Sequence, residues 1–281
     1  MNKIIEKIQL SELVYQLKVE APLIATERKP GQFILLLLSE EGERIPLTIS
    51  DADPKKGSIT LIFQVVGKTT HLLAELNKGD FIANLVGPLG TPTHIENFGS
   101  VVCVGGGIGA APLYPIVQGL KNAGNKVTVI LGARNKELLI LENKMKASSD
   151  ELIICTDDGS YGRKCLVTEP LKELCEQNNK PDLVVAIGPP IMMKFCSETT
   201  RPFNVSTVVS LNTIMVDGTG MCGGCRVIVG DKTKFVCVDG PEFDGHLVDF
   251  DNMMNRLNAY KKHENSDHHQ CHIDLKIKDK E

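Results

Sequence analysis

The sequence lacks any apolar run that approaches the ~20 residues a bilayer demands. Its longest runs, such as FILLLL at 33–38, are far shorter, and the first ten residues, MNKIIEKIQL, mix charge with apolar side chains from the start. Neither a membrane span nor an export signal is therefore expected. A basic surplus is missing too: 31 Lys and Arg stand against 35 Asp and Glu, for a formal net charge of −4. Nucleic acid binds through an excess of positive charge, so no nucleic-acid partner is expected. There are no internal repeats, and there is no paired-cysteine framework. The nine cysteines are an odd number with only three packed close together, a pattern foreign to small secreted domains and suited to a reducing cytoplasm. Five of them, Cys103, Cys155, Cys165, Cys175 and Cys196, fall within or beside apolar segments. There a free cysteine commonly serves as a small core residue, and no chemistry is assigned to them.

What is present fills two domains and a small appendage. The chain has 281 residues, 42% of them hydrophobic and 23% charged, and single cores usually stop growing near ~250 residues. The first third is a series of short β-type runs broken by turns: IIEKIQLSELVYQLKVEA, QFILLLL, RIPLTIS, SITLIFQVV and DFIANLVGP. That pattern predicts a small antiparallel β-barrel over 1–97. Strand and helix signals then alternate from VVCVGGGIGAAPLYPIVQGLKNAG through KVTVILGAR, a helical ELLILENKMKAS, ELIICT, a helix near 167–176 and DLVVAIGPP. Alternation of this kind predicts a parallel-sheet α/β nucleotide-binding domain over 98–205. A separate glycine- and cysteine-rich module is expected over 206–250. A helix in DFDNMMNRLNAYKKH followed by a polar tail completes the chain over 251–281.

The cysteine module carries the strongest local signal. Asp217 is followed after four residues by Cys222, after two more by Cys225 and after eleven by Cys237. C-x4-C-x2-C with a distant fourth cysteine is the plant-type [2Fe-2S] pattern, met here with aspartate in the first slot. Gly218, Gly220, Gly223 and Gly224 give the loop backbone the freedom to wrap an inorganic core. Zinc is the competing reading, since Cys222 and Cys225 form a CxxC and aspartate can complete a tetrahedron. The second CxxC of a zinc ribbon is missing, however, and Cys237 stands alone. A hard oxygen donates less electron density to ferric iron than a thiolate does. An Asp217 ligand is therefore expected to raise the reduction potential above that of an all-cysteine cluster.

Gly105, Gly107 and Ala110 fit G-x-G-x-x-A between a strand and a helix, where a glycine turn presents backbone amides to a pyrophosphate. Pro112 falls in the first turn of that helix, where a missing amide hydrogen costs little. No acidic residue ends the next strand, which runs into Gly132, Ala133 and Arg134. The usual partner of the NAD 2′-hydroxyl is thus absent, Arg134 faces either a 2′-phosphate or solvent, and NAD and NADP both stay open. TDDGSYG at 156–162 and AIGPP at 186–190 each follow a predicted strand, at the sheet edge where open α/β sheets bind ligands.

In the first domain Pro30-Gly31-Gln32-Phe33 is followed by Arg44-Ile45-Pro46-Leu47-Thr48-Ile49-Ser50 and then by Gly67-Lys68-Thr69-Thr70. Each segment alone reads as a turn or a strand end. In this order, with the glycine turn and the cysteine loop behind them, they resemble the ferredoxin-NADP reductase-like superfamily, in the branch with a C-terminal [2Fe-2S] module. The resemblance runs from about residue 3 to 255. The branch includes the electron-transfer subunit of dihydroorotate dehydrogenase and the small subunits of sulfide dehydrogenase and of NADH-dependent reduced ferredoxin:NADP oxidoreductase.

The resemblance implies that Arg44, Pro46, Leu47, Thr48 and Ile49 hold the ring and ribityl chain of FAD, with Gly67, Thr69 and Thr70 at its diphosphate. It places the nicotinamide dinucleotide at Gly105, Gly106, Gly107, Gly109 and Ala110 and at the loops carrying Arg134, Asp157 and Gly188. Two departures discriminate within the branch. Asp217 stands where the dihydroorotate type has a cysteine, which points to the ferredoxin:NADP oxidoreductase type. Ile187 stands where many relatives have a cysteine before the Gly-Pro of the nicotinamide loop, so no thiol role there is carried over. The implied activity is hydride exchange between NAD(H) and FAD, followed by single-electron transfer through the cluster, within an electron-bifurcating assembly. A larger flavin and iron-sulfur subunit would be the partner and ferredoxin would be reached through it. No acid-base residue is assigned, because such chemistry depends on positioning. The electron-transfer subunit of a dihydroorotate or sulfide dehydrogenase is the alternative, and a zinc-stabilised binding module the reading from another class. His268, His269, Cys271 and His272 form a polar, histidine-rich tail in which solvation is expected rather than metal binding.

Overall fold

The computed structural model describes residues 1–40 and 42–259. The first domain is one seven-stranded sheet built from β1 (Asn2–Ser11), β2 (Val14–Glu20), β3 (Phe33–Leu37), β4 (Arg44–Asp53), β5 (Ser58–Gln64), β6 (Phe81–Ile82) and β7 (Asn84–Leu89). Its spatial order is β6-β1-β2-β5-β4-β3-β7, with every neighbour antiparallel. The two outer strands are joined by Ala83 alone, so the sheet curls into the nearly closed barrel that the strand pattern predicts.

β3 shows why its sequence is an unbroken apolar run rather than an alternation. Ile34 and Leu36 enter the barrel core with Ile4, Leu17, Ile49 and Phe63. Phe33 and Leu35 point the other way, into a core shared with the C-terminal half of the chain. Both faces are dry, so both carry hydrophobic residues. The barrel also holds two helices, α1 (Pro22–Glu27) and α2 (Lys68–Glu75). The second starts inside the segment read above as a turn after a strand. Thr70 makes it a helix start: its hydroxyl accepts the amides of Val66 and Gly67, both at 3.0 Å, while Leu73 is buried one turn on.

The second domain follows as β8 (Ser100–Gly106), α3 (Ala110–Asn122), β9 (Lys126–Ala133), α4 (Glu142–Ser148), β10 (Glu151–Thr156), β11 (Arg163–Lys164), α5 (Thr168–Cys175), β12 (Leu183–Ile187), α6 (Pro190–Thr200) and β13 (Ser206–Ser210). These strands are parallel in the order β11-β10-β9-β8-β12-β13. ELLILENKMKAS, read as one helix, is instead a 3-10 turn at Lys136–Leu138 and the separate α4, split by Leu141 in the left-handed region at φ 59°. The break turns Ile140 into the core, where it is 5% exposed.

The cysteine-rich segment is less separate than its composition implies. β13, on its side of the expected boundary at 206, is hydrogen-bonded to β12 in the nucleotide-domain sheet. After the hairpin of β14 (Arg226–Val229) and β15 (Lys232–Phe235) and the short α7 (Val236–Asp239), β16 (Glu242–Asp244) returns to pair antiparallel with β13. The chain then enters α8 (Phe250–Asn258), capped by the Asp249 carboxylate on the Asn252 amide at 2.9 Å. Among the described residues no helix is long and apolar enough to cross a membrane. The histidines and cysteine at 268–272 lie outside the described residues.

Candidate functional site

The cysteine loop is built by backbone that few side chains tolerate. Gly218, Gly220 and Gly223 take φ values of 74°, 81° and 68°, in the left-handed region that glycine enters without strain. The loop is seated on the barrel at Gly218, where a Cβ would come within 2.8 Å of both Leu35 and Leu89. Inside it, Asp217 accepts the amides of Thr219 at 2.9 Å and Cys222 at 2.7 Å. These bonds, Thr219 first, hold its carboxyl below the usual carboxylate range.

Cys222 is exposed, and its sulfur accepts the Gly224 amide at 3.4 Å. Cys225 and Cys237 are buried with their sulfurs 3.2 Å apart. Burial, and then the neighbouring Cys225, push the Cys237 thiol up. Asp217 and Cys222 are thus linked through one amide, and Cys225 and Cys237 through their sulfurs. Among the described residues no three Cys, His, Asp or Glu side chains form a closed metal cage. The donor set nonetheless fits a [2Fe-2S] core, which takes four protein ligands: one ionised carboxylate and three thiols surround a loop shaped by left-handed glycines.

The nucleotide-domain residues converge at the C-terminal edge of the parallel sheet, where strand order switches direction on either side of β8. Open α/β sheets bind ligands at such switch points. A shallow, narrow cleft lies there, between Gly105, Gly107 and Ala110 of the glycine turn, Leu131 and Gly132 of β9, and residues 138–140. Gly107, at φ 53°, has open space where a Cβ would stand, which leaves its backbone approachable. Gly109 has none: a Cβ would lie 2.2 Å from the Ile187 carbonyl oxygen. Gly188 belongs to the same junction, since its Cβ would meet Met192 at 2.7 Å and the Gly106 Cα at 3.1 Å.

The loops after β9 and β10 are knitted together by Asp157 N–H to Ala133 O at 3.1 Å and Asp158 N–H to Arg134 O at 3.2 Å. The side chains of Arg134 and Asp157 are exposed. Tyr161 donates to the Glu142 carboxylate at 2.8 Å and lies under the Lys136 ammonium, which closes the loop over residues 136–142. Beneath it Cys165 sits 3.3 Å from Cys155, sulfur to sulfur. The linear sequence gives no sign of that proximity.

On the barrel, Ile49 of β4 pairs with Leu61 of β5 in antiparallel register. The start of β4, from Arg44 to Leu47, therefore lies at the same end as Gly67, Thr69 and Thr70, which follow β5. Arg44 is exposed, Pro46, Leu47 and Thr48 are half-buried, and Ile49 is buried. A Cβ on Gly67 would meet nothing within 4 Å. The α2 start is thus an open helix N-terminus, the kind that favours a phosphate.

Two sets of residues at the junctions were not found from the sequence. Ser50, next after Ile49, donates to the Ala111 carbonyl at 3.0 Å and joins the barrel to α3. Glu242 of β16 accepts a hydrogen bond from Thr93 at 2.5 Å. It lies where a Cβ on Gly31 would come within 2.9 Å of its oxygen. Burial pushes the Glu242 carboxyl up to about 7.

Comparison with known proteins agrees with this arrangement. Residues 103–198 match the oxidoreductase NAD-binding domain family, and residues 212–249 match the iron-sulfur cluster binding domain of dihydroorotate dehydrogenase B. A dihydroorotate dehydrogenase B (NAD(+)) electron transfer subunit homolog of Thermotoga maritima is 50% identical over 264 residues, 94% of this chain and 93% of that protein. The electron transfer subunit of dihydroorotate dehydrogenase B from Desulforamulus reducens is 36% identical over 88% of this chain and 96% of its own length. A chain from the solved structure of an NADH-dependent reduced ferredoxin-NADP oxidoreductase, described for flavin-based electron bifurcation, superposes with a TM-score of 0.91. It is 46% identical, covering 96% of this chain and 97% of that one. A Neisseria gonorrhoeae ferredoxin NADP+ reductase with bound FAD and NADP shares the fold at a TM-score of 0.59 and 18% identity, over 72% of this chain and 90% of that one.

Proposed function

Because the chain belongs to the family of dihydroorotate dehydrogenase B-type electron-transfer subunits, we propose that it is the electron-transfer flavoprotein subunit of an electron-bifurcating, NADH-dependent ferredoxin:NADP oxidoreductase. Bound FAD would supply the step between two-electron hydride exchange with NAD(H) and one-electron transfer to a [2Fe-2S] cluster. The chain's own residues bind and align. Arg44, Pro46, Leu47, Thr48 and Ile49 border the flavin, and the open α2 start at Gly67, Thr69 and Thr70 receives its diphosphate. The turn of Gly105, Gly106, Gly107, Gly109 and Ala110, with Arg134, Asp157 and Gly188 on the adjoining loops, receives the dinucleotide. Asp217, Cys222, Cys225 and Cys237 hold the cluster. A larger flavin and iron-sulfur subunit in the cytoplasm passes electrons onward to ferredoxin.

One observation carries this reading: the Asp217–Cys222 loop rests through Gly218 on Leu35 and Leu89 of the barrel. The candidate cluster ligands thereby sit against the candidate flavin domain. Anaerobic purification with the partner, followed by cofactor analysis and assays of NADH and NADPH oxidation with and without ferredoxin, tests it. The expected protein is yellow-brown, contains FAD and acid-labile sulfide, and couples NADH to ferredoxin and NADP. A colourless, zinc-containing protein would overturn the reading. Service in a dihydroorotate dehydrogenase is the second reading, favoured by the description of the family matched over 212–249, and dihydroorotate oxidation by the co-purified complex would select it.

A further inference from the structure

Helix α3, which opens on the glycine turn, carries Pro115 in its interior. Proline has no amide hydrogen, so the carbonyl four residues earlier, that of Ala111, loses its intrahelical donor. A buried carbonyl left without a partner is costly, and native structures rarely leave one so. Here the missing donor comes from the other domain. The Ser50 hydroxyl lies 3.0 Å from the Ala111 oxygen, and Ser50 and Ala111 are each 1% exposed, so water does not substitute for the bond.

The two ends of this bond are significant. Ser50 directly follows Ile49, the last residue of the β4 segment assigned to the flavin. Ala111 directly follows Ala110, the last residue of the turn assigned to the dinucleotide. We propose that Ser50 is a positioning residue: its hydroxyl replaces the amide that Pro115 lacks and thereby sets the nucleotide-binding turn in register with the flavin strand. The Ala111 carbonyl has this donor only when the domains are docked in this register. A helix that supplied its own donor at position 115 would lack that dependence. The proposal rests on the hydride exchange proposed above. Misplacement of reacting groups by about 1 Å can cost on the order of a hundredfold in rate, so one interdomain bond has leverage over the reaction.

The test is a double-mutant cycle on the FAD- and cluster-containing protein, with Ser50→Ala, Pro115→Ala and the two combined, read by urea unfolding and by anaerobic single-turnover reduction of the flavin by NADH. In the native background Ser50→Ala is expected to lower the folding equilibrium constant about tenfold. It should also slow flavin reduction at saturating NADH by about tenfold, with the NADH concentration for half-maximal rate changed less than about twofold. Where Pro115→Ala has restored an amide, the stability cost of Ser50→Ala should fall below about twofold. Ser50→Thr, which keeps a hydroxyl, should retain the native rate within about twofold and guards against a serine-to-alanine variant that does not fold. Equal stability costs in both backgrounds would overturn the exchange of donors. Coupled stability with an unchanged reduction rate would overturn the positioning role. Failure of NADH to reduce the flavin of the native protein would instead sink the functional reading, and the stability cycle would still decide the bond.

Discussion

Replacing Glu242 with glutamine is expected to stabilise the protein above neutral pH and to change little in mild acid. The Glu242 carboxyl is half-buried where β16, Gly31 and Thr93 meet, with the Thr93 hydroxyl as its hydrogen-bond donor. Burial penalises the charged form and pushes the pKa from the ordinary 4.5 to about 7. The folded state therefore binds this proton more tightly than the unfolded chain. Its stabilising contribution is complete below pH 4.5 and is lost as pH rises to about 7. Each pH unit between the two pKa values is worth about 1.4 kcal/mol, which makes the loss about 3 kcal/mol by pH 8. Glutamine keeps the shape and an oxygen for Thr93 but has no proton to lose. Urea or thermal unfolding of the holoprotein at pH 5, 6.5 and 8 reads the difference. The variant should lie within about 2 °C of the native protein at pH 5 and exceed it at pH 8, by roughly 5–8 °C in melting temperature. Parallel pH profiles for the two proteins would refute the argument.

Further outcomes follow from the other junctions. Asp217→Cys is expected to lower the cluster's reduction potential in an EPR-monitored redox titration, because a thiolate stabilises ferric iron better than a carboxylate does; an unchanged or higher potential would contradict the ligand assignment. Gly109→Ala places a Cβ 2.2 Å from the Ile187 carbonyl oxygen. It should destabilise the nucleotide domain by about 1–3 kcal/mol in chemical denaturation and weaken NADH binding in a fluorescence titration. Thr70→Ala removes the oxygen that accepts the Val66 and Gly67 amides. About 1 kcal/mol of stability should be lost, together with FAD retained through gel filtration, while iron content stays constant.

The sequence makes some of these features plain and hides others. The barrel was legible because its strands are short and bounded by turns, and the parallel sheet because strand and helix periods alternate. The glycine turn and the Asp217, Cys222, Cys225 and Cys237 spacing stand out as candidates because each follows a recognisable sequence pattern. Features defined by contact across the chain left little trace. KTTHLLAE contains two β-branched threonines and follows a strand, so helix α2 depended on the Thr70 cap for its start. β16 has three residues and exists because β13 offers it an edge. Ser50 looks like any strand-end serine until Pro115, 65 positions later, is seen to leave the carbonyl it serves without a donor. The pairing of Cys155 with Cys165 likewise arises from the parallel register of β10 and β11.

Anaerobic titration of the FAD- and iron-containing protein with NADH, followed by visible absorbance and EPR, reads the proposed electron route from nicotinamide through flavin to cluster. NADH should bleach the flavin, and a reduced [2Fe-2S] signal should then appear at up to one spin per chain. A flavin that NADH leaves oxidised, or a cluster that dithionite reduces but NADH with bound flavin does not, would contradict that route.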